Sequence, residues 1–196
     1  MAPSKAPPSL LFILGPPAVG KMTVGHEIAR RTGFRLFHNH QTIDLVLRFF
    51  PFETPPFQRL VGEFRRRIFE EVAASSLPGL IFTYVWAFND PKDAEYVESL
   101  AGIFRKQGGQ VVFAELEASP AERLRRNETE FRLAEKPFKR DLQLSRRNLL
   151  EADARYQLNS QGAFDHRPDY FRLETTQLSA AQTAEQIIQR FNFPLI

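Results

Sequence analysis

No cysteine occurs in the 196 residues, so disulfides, thiolate nucleophiles and cysteine-held metals are excluded. Long apolar runs are missing too. The run Leu10 to Leu14 is too short for a secretory leader or a membrane span. A soluble protein of a reducing cytoplasm, with no membrane partner, is expected. A strong charge of one sign is also absent, because 26 basic residues face 23 acidic ones, a net of +3. Most basic residues have acidic neighbours, and in the arginine-rich stretch from Arg123 to Arg147 acids interrupt the run and stacking aromatics are scarce, which argues against a nucleic-acid partner. Phenylalanine is plentiful at 19 and is expected to supply much of the core.

Apolar runs alternate with helical patterns. Residues 1–9 read as a flexible arm of Pro, Ala, Ser and Lys, and residues 10–196 as one domain. Strands are predicted over Leu10–Leu14, Arg35–Phe37, Leu80–Trp86, Gln110–Leu116 and Tyr170–Leu173. Helices are predicted from Val24 to Gly33, Phe64 to Ala74, and Pro91 to Lys106 behind an Asp90 cap. Ser119-Pro120-Ala121-Glu122 has the form of a capping box, and its helix is expected to run on toward Leu158. Ser179 is expected to cap a last amphipathic helix through Phe191. This order predicts an α/β fold, a three-layer arrangement around a central, mostly parallel five-stranded sheet.

The densest chemical signal follows the first strand. Gly15-Pro16-Pro17-Ala18-Val19-Gly20-Lys21-Met22-Thr23 has the spacing G-x-x-x-x-G-K between a buried strand and a helix. Such a loop wraps backbone N–H groups around phosphates at the positive end of the new helix, and the lysine adds a point charge. Gly15, Pro17, Ala18, Val19, Gly20, Lys21, Met22 and Thr23 are therefore the expected nucleotide-binding residues. ATP and Mg²⁺ are the expected ligands. A metal-binding hydroxyl is usual directly after the lysine, but Met22 stands there and Thr23 follows.

In that departure the loop resembles those of adenylate kinases, which read G-x-P-G-x-G-K-G-T. The resemblance implies that Thr23 touches phosphate oxygen, with Mg²⁺ held largely through water. Over about residues 10–191 the chain is similar to the shikimate and nucleotide kinase group of P-loop NTPases, sharply so only at this loop. It departs from shikimate kinases by having His38-Asn39-His40 in place of Asp-x-Asp and Thr83-Tyr84-Val85-Trp86 in place of Gly-Gly-Gly. Shikimate is accordingly not the expected acceptor.

The rest of the site is read around this frame. Residues 38–78 are the expected acceptor-binding insertion. His38, Asn39 and His40 lie beyond a strand end, where open α/β sheets bind ligands. His38 is a candidate to take a hydroxyl proton, and Asp44 competes for that task. The alternative is that one histidine caps a helix while the other packs on it. The letters H-N-H do not indicate a nuclease, since no companion metal motif is present. Arg65 is a candidate clamp for an anionic acceptor, while Arg66 and Arg67 suit a solvated face with Glu70 and Glu71. Phe49, Phe50, Phe52 and Phe57 suit either a pocket wall or core packing.

The resemblance further implies a lid over residues 123–147. Arg126 would border adenine and phosphates, Arg132 would reach the transferring phosphoryl group, and Lys136 would assist at the acceptor. It also places the backbone around Thr176 against adenine. The expected activity is ATP-dependent phosphoryl transfer to a small hydroxylated or anionic metabolite, with Lys21, His38, Asp44 and Arg132 as catalytic candidates. The alternative is a nucleotide-binding regulator with little turnover, and the choice between monomer and homodimer is open.

Overall fold

The computed structural model describes residues 6–128 and 141–196. Five strands, β1 (Ser9–Leu14), β2 (Arg35–His38), β3 (Gly79–Thr83), β4 (Val111–Glu117) and β5 (Tyr170–Glu174), form one sheet in the order β2-β3-β1-β4-β5. Every pairing is parallel, with Leu10 opposite both Leu80 and Val111. The described helices are α1 (Lys21–Thr32), α2 (His40–Val46), α3 (Pro55–Ala73), α4 (Pro91–Lys106), α5 (Pro120–Asn127), α6 (Leu142–Arg155) and α7 (Ala180–Phe191). The expected three-layer α/β arrangement is present.

The layers follow from the two-residue period of a strand. Leu10, Phe12 and Leu14 face one core with Phe69 of α3 and Phe104 of α4. Leu11 and Ile13 face the other, with Ile28 of α1 and Ile187 of α7. Both faces of β1 are covered, which is why its sequence is continuously apolar.

Three local readings differ from the expectations. Strand β3 stops at Thr83, three residues before Trp86. Trp86 is apolar for another reason: it stacks on Phe88 at 4.7 Å and lies 5.8 Å from Phe164, beneath a loop and outside the sheet. Helix α3 starts at Pro55, nine residues ahead of the expected Phe64. Proline is tolerated in a first helical turn, whose N–H groups have no helical acceptor anyway. The capping box at Ser119 is half formed. Its hydroxyl accepts from Glu122 N at 3.2 Å, but the Glu122 carboxylate turns to Arg125 and Arg126. At Ser179 both halves of the box are made, and Asp90 caps α4 through Lys92 N.

All five strands run the same way, so the loops after them gather at one end of the sheet. Open α/β sheets place their clefts there, where neighbouring connections diverge. The loop after β1 sits in the middle of that edge. Loops after β2 and β3 lie to one side of it, and those after β4 and β5 to the other.

Candidate functional site

Residues 15–20 make the turn from β1 into α1. Gly15 has φ +130° and Gly20 φ +110°, and Ala18 is left-handed at +62°. These values explain the glycines, because an L side chain resists such angles. Gly15 has a second constraint: a Cβ there would lie 2.4 Å from the Leu116 carbonyl oxygen on β4. The turn is therefore pressed against the sheet with no room for a side chain.

The first hydrogen bond of α1 runs from Val24 N to Gly20 O at 3.0 Å. The N–H groups of Lys21, Met22 and Thr23 precede it and have no helical acceptor, leaving donors at the helix's positive end. Lys21 folds back across the turn, and its Nζ donates to Gly15 O at 2.6 Å and Pro16 O at 2.8 Å. The loop nevertheless remains open to a cavity of about 1090 Å³, which Pro17 through Thr23 line. A phosphate fits this setting: a tight turn with no room for a Cβ at Gly15, first-turn N–H donors of α1, a cation and an open cleft. Met22 is 9% exposed and packs inward, whereas Thr23 is exposed toward the cavity. Thr23 is thus the loop hydroxyl available to Mg²⁺, and no cluster of three or more acids and histidines occurs among the described residues. A metal here fits one hydroxyl, phosphate oxygens and water.

On the β4–β5 side, arginines of α5 tie the loop to its surroundings. Arg126 Nη1 donates to Val19 O at 2.7 Å, and its Nη2 donates to Thr175 O at 2.6 Å. One guanidinium so joins the phosphate loop to the segment after β5, and its fork geometry suits two fixed acceptors. Glu122 holds Arg126 Nε at 2.8 Å and accepts a two-pronged contact from Arg125 at 2.7 Å. Hydrogen bonds from Arg125, with Arg126 adding to them against partial burial, lower the Glu122 carboxyl to about 2. Arg123, 5% exposed, donates to Pro17 O at 3.4 Å and grips Asp153 of α6 with both Nη atoms. The Ser119 amide donates to Thr176 Oγ1 at 2.8 Å, so Thr176, too, lines the cavity from a fixed loop.

On the β2–β3 side the wall is built from α2 and the end of β3. Asn39 and His40 line the cavity, and His40 Nδ1 stands 3.9 Å from Asp44 Oδ1 one helical turn on. His38, Asp44, Gly15 and Arg65 are not among the lining residues. Arg65 is 6% exposed and directed into the scaffold. Its Nε donates to Thr42 Oγ1 at 2.9 Å, its Nη2 to Asn39 O at 3.0 Å, and its guanidinium lies 5.8 Å from the Phe82 ring. Arg66 and Arg67 pair with Glu70, and Arg67 also with Glu71, on the outer face of α3. Phe57 is buried beside Val46 and Val61, while Phe52, 58% exposed, reaches the cavity. Arg132 and Lys136 fall outside the described residues.

Several residues in or behind the cavity carry no signal in the sequence. Arg123 meets Asp153 across 30 positions, and Ser145, Asn148 and Leu149 line the cleft from α6. Thr83 lines it from the end of β3 and accepts from Asn39 N at 3.3 Å. In the sequence Thr83 stands out only as the start of the stretch that departs from the shikimate kinase pattern.

A parallel five-stranded sheet with a phosphate loop between its first strand and first helix defines the P-loop kinase fold. Solved structures sharing it include several kinases. The APS kinase CysC of Mycobacterium tuberculosis, in complex with AMPPNP and APS, is 14% identical, with 95% of this chain and 98% of that one covered and a TM-score of 0.61. Shikimate kinase from Acinetobacter baumannii, in complex with shikimate, is 16% identical over 96% and 94%, with a TM-score of 0.52. A sugar kinase from Janibacter is 16% identical over 95% and 96%, with a TM-score of 0.54. No family model and no curated protein matches the sequence. Among the described residues, no helix is long and apolar enough to cross a membrane.

Proposed function

We propose that the chain is an ATP-dependent phosphotransferase acting on a small hydroxylated molecule. One observation carries the reading: the glycine turn, the first-turn donors of α1 and Lys21 open onto a single cavity whose two walls differ. The β4–β5 wall, with Arg126, Thr175 and Thr176, suits the nucleotide. The wall from α2 and β3 suits the acceptor.

In this reading Lys21 leaves the carbonyls of Gly15 and Pro16 and moves onto the phosphates, a short exchange of one oxygen set for another. Its charge and the first-turn amides balance the negative charge that spreads over the transferring group. Mg²⁺, which Thr23 would hold directly or through water, would further neutralise the phosphate oxygens. His40 accepts the proton of the acceptor hydroxyl, with Asp44 as its positioning partner. The bond formed joins the acceptor oxygen to the γ-phosphorus. The bond broken joins that phosphorus to the oxygen leaving with ADP. Arg126 holds the phosphate loop and the segment after β5 in register. Arg132 and Lys136, outside the described residues, are proposed to contact the transferring phosphoryl group and the acceptor.

The test is label transfer from γ-³²P-ATP with Mg²⁺ and a panel of hydroxylated metabolites. Lys21→Ala should lower transfer on the order of 10²–10³-fold while leaving the melting temperature within a few degrees. Undiminished turnover in that variant would place the chemistry elsewhere. Tight nucleotide binding with no transfer to any acceptor would favour a regulator.

A further inference from the structure

Helix α3 buries a stripe at helical spacing, made of Phe57, Val61, Arg65, Phe69 and Val72. Arg65 alone in it is charged. Packing by itself asks for an apolar side chain there, because a buried guanidinium forfeits its hydration. What the arginine reaches explains its place. Nε donates to Thr42 Oγ1 at 2.9 Å, Nη2 to Asn39 O at 3.0 Å and Nη1 to Tyr96 OH at 3.4 Å. These partners are neutral, and two of them belong to the start of α2.

That start sets the acceptor wall. The Asn39 N–H donates to Thr83 Oγ1 at 3.3 Å, and the Asn39 carbonyl accepts from Arg65 and, at 3.4 Å, from the Thr42 hydroxyl. Residue 39 is thereby held from two sides, by the end of β3 and by α3, and the imidazole of His40 hangs from the next Cα. At its far end α2 is fastened by Val46, packed with Phe57 and Val61. A helix of seven residues does not hold its own shape in water, so such tertiary contacts decide where it stands.

We infer that Arg65 is a positioning residue for phosphoryl transfer, fixing the Asn39–His40 peptide and so setting where the His40 imidazole stands in the cavity. The inference rests on the reading of His40 as proton acceptor and adds the group that places it. Arginine suits the task because its planar fork meets two acceptors in fixed geometry, whereas a lysine ammonium is a single point. Without the fork the ring drifts from the acceptor hydroxyl, and a displacement of about 1 Å costs up to about a hundredfold in rate. The step itself is unchanged: the hydroxyl proton passes to His40, the oxygen bonds to the γ-phosphorus, and ADP leaves with the bonding electron pair.

The His40 ring is the direct reporter. Its two-bond ¹H–¹⁵N signals, identified by their loss in His40→Gln, are compared in the full chain and in Arg65→Gln, Arg65→Lys and Thr42→Val, with His26 and His166 as internal references. They should shift or split in all three variants, while trinitrophenyl-ATP affinity stays within about twofold, since Arg65 lies outside the cavity lining. Transfer is read with γ-³²P-ATP and Mg²⁺, with the hydroxylated panel, glycerol and inositol among it, and water as acceptors. Arg65→Gln and Arg65→Lys should lower kcat at least about tenfold with KM for ATP unchanged. In a His40→Gln background Arg65→Gln should cost less than about twofold more, because both act through one group. His40 signals unmoved in Arg65→Gln and Thr42→Val overturn the inference and leave the kinase reading standing. So do additive losses in the double variant, or full activity in Arg65→Lys. If Arg65→Gln does not fold, Thr42→Val, which keeps the shape and removes one acceptor of the fork, decides by the same signals. A His40→Gln chain as active as wild type brings down the proton-acceptor reading, and a wild-type chain that moves no label brings down the kinase reading, each taking this inference with it.

Discussion

Glu122 shows how much one side chain organises at this site. Its carboxylate collects two bonds from Arg125 and one from Arg126, and Arg126 in turn holds Val19 and Thr175. The hydrogen bond from Arg125, opposed by partial burial and aided by Arg126, lowers its folded pKa from 4.5 to about 2. A lowered folded value means that the contribution is fully present above the unfolded pKa and is lost as pH falls through the folded one. Glu122→Gln should therefore reduce the melting temperature at pH 7, and the gap from wild type should close between about pH 4.5 and pH 2. Thermal melts at a series of pH values check this, and a gap that stays constant down to pH 2 would show that the charge is not the cause. The sequence disclosed Glu122 only as half of a capping box. Propensity rules identify a group able to bond the helix start, but they do not rank that start against two arginines in the next turn.

At the scale of elements, α5 is the part that joins the rest. It carries Glu122, Arg123 and Arg126, and through them touches the phosphate loop, α6 and the segment after β5. Arg123→Ala removes a buried cation from Asp153, whose side chain is 27% exposed, and from Pro17 O. Breaking such a pair by deleting one member costs roughly 3–5 kcal/mol when it is buried, and less in proportion to the exposure of the partner. We expect a loss of about 2–3 kcal/mol in urea unfolding and weaker trinitrophenyl-ATP binding, since α6 lines the cavity and Pro17 belongs to the loop. Unchanged nucleotide affinity in a destabilised variant would mean that α5 supports the fold without positioning the site. The phosphate loop, by contrast, was legible because all its parts are local: strand, glycines, lysine and helix occur within one stretch of chain. Arg123 was silent because its partner lies on another helix. Arg65 was misleading for a related reason. Its place on α3 is readable from the period, but whether it faces a ligand or the carbonyl of Asn39 is decided by how α2 packs.

At the scale of the molecule, the alternation of strand and helix was enough to give the sheet, since five apolar runs with helical spacers allow few arrangements. Element ends were harder, and Trp86 and Pro55 show why: burial beneath a loop resembles burial in a strand, and proline in a first turn resembles a break. The abundance of phenylalanine has its physical meaning here. Phe69 of α3 is fully buried and meets Phe82 at 5.2 Å, Phe104 at 5.9 Å, and Phe12 and Phe37 at 6.3 Å. It thereby joins β1, β2, β3 and α4 across one face of the sheet. Truncation forfeits the transfer energy of the ring and leaves a cavity that four aromatic-lined elements cannot collapse, so Phe69→Ala should cost about 3–5 kcal/mol. That is a large share of the ~5–15 kcal/mol that holds a domain of this kind together. Phe69 lies on the face opposite α1 and does not line the cavity, so saturating nucleotide should recover part of the loss through binding to the folded state alone. Urea titrations with and without ATP and Mg²⁺ measure both quantities. A loss below about 1 kcal/mol would mean that the aromatic layer repacks, and the rigid face on which the phosphate loop is mounted would have to be sought in the α1–α7 layer.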